Sequence, residues 1–156
     1  MLQQLAQQPQ EFLVAHERAA EHEAARPQPG LERLDDQLRD ITHVDVRPAA
    51  LVDAFAAGNL ERAGRLMMHS HASLRDLYEV SSPELDALVD LAIVQPGCTG
   101  ARLTGAGFGG CAIALAEAGS VERVMSSVEA GYFERTGRST TGFVCHPTGG
   151  AHLLDV

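Results

Sequence analysis

Between two short strand-like segments, Gly105-Ala106-Gly107-Phe108-Gly109-Gly110 places four glycines in six positions. A two-residue hairpin turn needs only one or two, and each glycine inside an element costs roughly 0.5–1 kcal/mol relative to Ala. Such density makes sense where a backbone must take positive φ, or must let another chain or a ligand approach closely. Successive N–H groups in a loop of this kind can form a nest that holds a phosphate. Two plainer readings compete: a wide hairpin, and a glycine surface packed on a neighbouring domain. The stretch is not a P-loop, which needs a Lys after the glycines and a helix behind them. It is not a dinucleotide fingerprint either, because a strand follows.

The other residues able to do chemistry read more blandly. His69 and His71 lie two apart on one predicted helix, so they point in different directions and cannot form an i, i+4 metal pair. His71 falls on the apolar stripe and reads as a hydrogen-bonded core histidine rather than a base. Arg75 and Asp76 read as a surface or inter-helix pair, with a cleft-lining pair as the alternative. His43 with Asp45 reads as two solvated loop residues rather than a metal pair, and Met67-Met68 as core packing. Cys98, Cys111 and Cys145 are odd in number and lack a C-x-x-C pair. They suit small buried hydrophobes in a reduced cytosol. No catalytic residue and no metal ligand emerges.

These residues must be positioned by the elements around them. Residues 49–57 read as a helix closed by Gly58, and Asn59 can cap a second over 60–77. Its stripe is Leu60, Ala63, Met67, His71, Leu74 and Tyr78. Ser82-Pro83-Glu84 supplies a cap, a proline at the first helical position and an acid in the first turn. Leu85, Leu88, Val89 and Ala92 give that helix a buried face, and Pro96-Gly97 stops it. Residues 98–104 and 111–116 read as strands. A helix over 121–135 runs through Val121, Val124, Val128 and Phe133, from a Ser120 cap to a Gly137 stop. Strands are expected at 141–145 and, as a terminal edge, at 151–156. The fold class is α+β: a small antiparallel sheet covered by helices on one face.

Residues 1–46 read as a separate helical extension, partly disordered, preceding a domain over 47–156. Segments 2–24 and 31–41 are rich in helix formers, and Arg26-Pro27-Gln28-Pro29-Gly30 breaks them apart.

The bulk numbers exclude several classes. The chain has 156 residues, 45% apolar, with 4% aromatics and no Trp, so its core must be built mainly from Leu, Val and Ala. A formal net charge of -9 disfavours nucleic acid and anionic lipid surfaces as partners. It also means that a nucleotide could be held only locally, by backbone N–H groups. No stretch approaches the roughly 20 apolar residues of a membrane span. Residues 1–15 lack a basic n-region and an apolar h-region. A cytoplasmic protein is expected.

Two segments carry a resemblance. Gly100-Ala101-Arg102-Leu103-Thr104-Gly105-Ala106-Gly107-Phe108-Gly109-Gly110, followed by Cys111, closely resembles the third motif of the GHMP small-molecule kinases, in its galactokinase form with Phe108. Ser70-His71-Ala72-Ser73-Leu74-Arg75-Asp76-Leu77-Tyr78-Glu79-Val80-Ser81 resembles the galactokinase run SHxSLRDDYEVS and continues into Pro83-Glu84-Leu85-Asp86. The resemblance covers about residues 50–151. It implies a ferredoxin-like C-terminal domain of a GHMP kinase, whose glycine loop, here Thr104, Gly105, Ala106, Gly107, Phe108, Gly109 and Gly110, faces a nucleotide and substrate cleft. It also implies ATP and Mg²⁺ as cofactors and galactose as substrate, converted to galactose 1-phosphate.

Departures from the family are equally plain. The GEHTDY-type sugar motif, the P-x-G-x-G-L-S-S-S phosphate loop and the catalytic Asp do not occur in this sequence. The region before the first matching helix is absent or eroded around Thr42-His43-Val44, and Leu77 stands where an Asp is usual. Phosphoryl transfer needs a phosphate cradle, a metal and a group orienting the hydroxyl together, so the chain is expected to be inactive alone. Three readings follow: a C-terminal kinase part completed by an N-terminal half, a non-catalytic module binding a protein or ligand, and a truncated remnant. An uncovered apolar patch, and with it self-association, is expected of an isolated part.

Overall fold

The computed structural model describes residues 10–17 and 46–146. In chain order the elements are β1 (Gln10–Glu17), α1 (Val46–Ala56), α2 (Leu60–Asp76), α3 (Pro83–Ile93), β2 (Cys98–Thr104), β3 (Cys111–Glu117), a 3-10 turn (Ala118–Ser120), α4 (Val121–Thr136) and β4 (Thr140–Cys145). Local chemistry accounts for most boundaries. Asn59 Oδ1 accepts from the Arg62 N–H at the start of α2, and Ser82 Oγ accepts from the Leu85 N–H at the start of α3. Gly137 ends α4 in the left-handed conformation, φ 70°.

The four strands form one antiparallel sheet in the order β2-β3-β1-β4. Strand, helical crossover, hairpin, helical crossover and strand, with the first and third strands adjacent, is the split βαβ layout of ferredoxin-like folds. β1 corrects the sequence-based reading. A helix was expected across 2–24, yet residues 10–17 are a strand between β3 and β4, with Leu13 opposite Ala114 and Val144. Residues on both sides of the expected 46/47 boundary therefore share one sheet. The expected 31–41 helix and 151–156 strand, with His43 and Asp45, lie outside the described residues.

Side-chain alternation splits the core in two. Leu13, Ala15, Ala101, Ala112 and Ala114 point to α3 and α4, where Leu88, Val124, Val128 and Tyr132 complete one cluster. Ile113 and Leu115, the intervening residues of β3, point the other way, to Ala54 of α1 and Ala63 and Met67 of α2. Helices thus lie on both faces rather than one. The stripe of α4 also differs by one position: Tyr132 is fully buried while Phe133 is 58% exposed. The run 121, 124, 128, 132 keeps the 3.6-residue period, and 133 leaves it.

α2 reaches β2 through a pair of glycines. A Cβ on Gly64 would fall 2.0 Å from the Thr99 carbonyl oxygen, and one on Gly100 would fall 2.5 Å from the Gly64 Cα. Helix and strand backbones touch directly there, which fixes what lies further along α2.

Candidate functional site

The glycine loop joins β2 to β3. Gly105, Gly107, Phe108, Gly109 and Gly110 all have positive φ, between 61° and 131°. For glycine this region is open, whereas Phe108 pays a steric cost to occupy it. The loop is no simple hairpin turn. The Phe108 N–H donates to the Val80 carbonyl at 2.6 Å, and a Cβ on Gly107 would lie 2.2 Å from that same oxygen. Gly107 is therefore required both by conformation and by close approach. Around Gly105, Gly109 and Gly110 an added Cβ would meet nothing within 4 Å, so one side of the loop is open.

Val80 belongs to the connection between α2 and α3. Glu79 beside it also has positive φ, 55°. The contact thus joins strained Phe108 to the residue next to strained Glu79, and such strain is concentrated at functional sites. Leu77, Tyr78 and Phe108 expose apolar surface at this end of the domain.

Beneath the loop lies a polar cluster. His71, 4% exposed, accepts the Leu103 N–H on Nδ1 at 3.3 Å. β2 is an edge strand, and the imidazole takes up an N–H there in place of a neighbouring strand. With Nδ1 accepting, the neutral ring carries its proton on Nε2, which lies 3.4 Å from Asp86 Oδ1. That atom makes no aligned hydrogen bond, so it faces the carboxylate without one. The Ser81 hydroxyl donates to the same Asp86 oxygen. Burial pushes the His71 pKa below its ordinary value; Asp86 opposes that shift and Arg75 adds to it.

His71 is thus the hydrogen-bonded core histidine that its place on the stripe predicts, while His69 is exposed. Arg75 and Asp76 form an exposed bidentate pair at 2.7 and 2.9 Å. What the sequence could not show is that His71, Ser81 and Asp86 meet. They are 15 residues apart at most, but their grouping depends on how α3 folds back against α2.

The donor set speaks to the cofactors. Thr104–Gly110 carry no charged side chain. The loop can offer an anion backbone N–H groups and an open, uncrowded side, which suits a wall against a nucleotide. Among the described residues no three His, Cys, Asp or Glu side chains are grouped to hold a metal, so these residues do not fit a Mg²⁺ site. A groove of about 200 Å³ between α1, α2 and β2 is lined by Leu51, Leu66, Met67, Ser70, Leu74 and Arg102; the loop does not line it. No helix among the described residues is long and apolar enough to cross a membrane.

A split βαβ domain with a strained glycine loop between its hairpin strands defines a class. Residues 51–134 match the model of the GHMP kinases C terminal family, over half of the chain, and the chain belongs to that family. Within it the similarity is to galactokinases. The Chloroflexus aggregans galactokinase is 48% identical over 108 residues, which is 69% of this chain and 28% of that protein. The Roseiflexus galactokinase is 41% identical over 137 residues, 88% of this chain and 34% of that protein. The chain therefore spans about a third of the length of these relatives. The crystal structure of Lactococcus lactis galactokinase complexed with galactose matches with a TM-score of 0.66 and 28% identity, over 87% of this chain and 45% of that one. Streptococcus pneumoniae phosphomevalonate kinase, at 18% identity and a TM-score of 0.60, shares the fold.

Proposed function

We propose that this chain is the C-terminal part of a galactose kinase and works when joined to, or paired with, a half bearing the phosphate loop and catalytic carboxylate. Together they transfer the γ-phosphoryl group of ATP to galactose, giving galactose 1-phosphate. The observation that carries this reading is the Thr104–Gly110 loop: strained, seated on Val80, and open on its outer side. A loop so built is shaped to face something that the described residues do not supply.

ATP would supply the phosphoryl group, and Mg²⁺ its charge neutralisation, held by the other half. The loop residues bring no acid, base or nucleophile. Their part is to close one wall of the cleft, to exclude water and to present N–H groups in a fixed arrangement, where positioning does most of the work in phosphoryl transfer. Exposed Leu77, Tyr78 and Phe108 give the other half an apolar surface to cover. A cytoplasmic setting belongs to the same proposal, and Cys98, Cys111 and Cys145 are free thiols.

ADP release with galactose tests it. The chain alone should be silent, and mixing or fusing it with the N-terminal half of a galactokinase should restore turnover above either part. If no gain appears although the two parts bind, the kinase reading fails and a non-catalytic binding module replaces it.

A further inference from the structure

We infer that His71, together with Asp86 and Ser81, is the positioning device of the glycine loop. The contacts close a ring. His71 Nδ1 holds the Leu103 N–H, at the point where β2 gives way to the loop. The middle of the loop is held by Val80, through the Phe108 N–H. Val80 precedes Ser81, whose hydroxyl is tied to Asp86, and Asp86 faces His71 Nε2. The hinge of the loop and its seat are thereby referred to one imidazole. Asp86 and Asp90 from α3, Arg75 from α2 and Arg102 from β2 are the charged groups around that ring.

Buried polar contacts restrict the arrangements open to the groups that make them; here Nδ1 is hydrogen-bonded, while Nε2 faces Asp86 at 3.4 Å without a hydrogen bond. The arrangement so restricted is that of a loop with five positive-φ residues in six, which has little apolar packing of its own. Protonation of His71 would turn Nδ1 from acceptor into donor against the Leu103 N–H and free the hinge. The positioning claim concerns the chain itself; its consequence for catalysis rests on the galactose kinase reading.

Amide exchange on the 156-residue chain, with two substitutions at one position, tests the claim. In H71N the side-chain oxygen can reach the place of Nδ1, so Leu103 and Phe108 should keep near wild-type protection. H71Q puts its polar group further out, at the place of Nε2, and leaves the Leu103 N–H unpaired. There the Phe108 amide should exchange roughly fivefold faster, the factor for one lost hydrogen bond. Phe108 exchanges through opening of the loop, so a merely structural role for His71, one that lowers global stability alone, would leave its rate unchanged. An unchanged Phe108 rate in H71Q, or equal rates in the two variants, overturns the proposal. Should H71Q fail to fold, S81A offers the same reading from the other side of the ring: faster exchange at Phe108 supports it, and an unchanged rate overturns it. In the completed enzyme H71Q should raise KM for ATP more than H71N does. Absence of any galactose-dependent turnover in the wild type would sink the kinase reading, while the amide rates still decide the positioning claim.

Discussion

Gly64→Ala sets helix propensity against packing. In the middle of a helix this change ordinarily stabilises by about 1 kcal/mol. In α2 the new Cβ would stand 2.0 Å from the Thr99 carbonyl oxygen, with the Thr99 carbonyl carbon at 2.6 Å. Both neighbours are backbone of β2, so no side chain can swing aside. Bringing 2.0 Å up to a tolerable 3.0 Å moves helix and strand apart by about 1 Å. Forced overpacking of this kind costs roughly 1–3 kcal/mol, and a backbone clash belongs at the upper end. The net expectation is a loss of about 2 kcal/mol. His71 lies seven residues further along the same face of α2, two helical turns away. A shift of that size would carry its 3.3 Å contact with Leu103 beyond hydrogen-bonding range. Urea denaturation followed by circular dichroism gives the sign, with Gly119→Ala as a control whose Cβ meets nothing within 4 Å. A G64A protein more stable than wild type would refute the backbone-to-backbone contact on which the argument stands.

Three further outcomes follow from the same geometry. Gly107→Ala should destabilise by about 1 kcal/mol more than Gly105→Ala in urea melts: both take a left-handed φ, but only the first meets Val80 and breaks the Phe108 hydrogen bond. Below about pH 6.5 the unfolded His71 takes up a proton that the folded one resists, so its contribution is fully present above that pH and lost on acidification. Thermal melts between pH 7.5 and 5.5 should accordingly fall more steeply for wild type than for H71N. Leu88→Ala, at a residue only 1% exposed in the larger core cluster, should cost about 2–5 kcal/mol in urea titration.

Much of the helical layer was readable locally. The Asn59 and Ser82 caps, the Gly137 stop and the turn at Pro96-Gly97 all act within a few residues, so composition and spacing were enough. β1 was not readable in the same way. Phe12-Leu13-Val14-Ala15 is an unbroken apolar run, although only Leu13 and Ala15 enter a core cluster. It lacks the alternation that marks a half-exposed strand, and its neighbours are helix-favouring Gln and Glu. The loop announced itself through glycine density, and two of its glycine demands proved distinct: conformation throughout, close approach at Gly107. The seat at Val80 and the ring through His71, Asp86 and Ser81 left no periodic trace. They arise where α2, α3 and β2 converge, and tertiary convergence is not encoded in spacing.

The position of β1 has a consequence for how the molecule is made. The strand precedes both of its partners in the chain: one neighbour, β3, ends at Glu117 and the other, β4, ends at Cys145. Until about a hundred further residues have been synthesised, β1 has neither of the strands it pairs with, and once β3 and β4 exist each offers it an unzipped edge. Closure of the sheet is thus a late, long-range event of the kind that folds slowly and exposes chains to mispairing. A version of this protein deprived of β1 should collapse into insoluble material rather than persist as a trimmed domain.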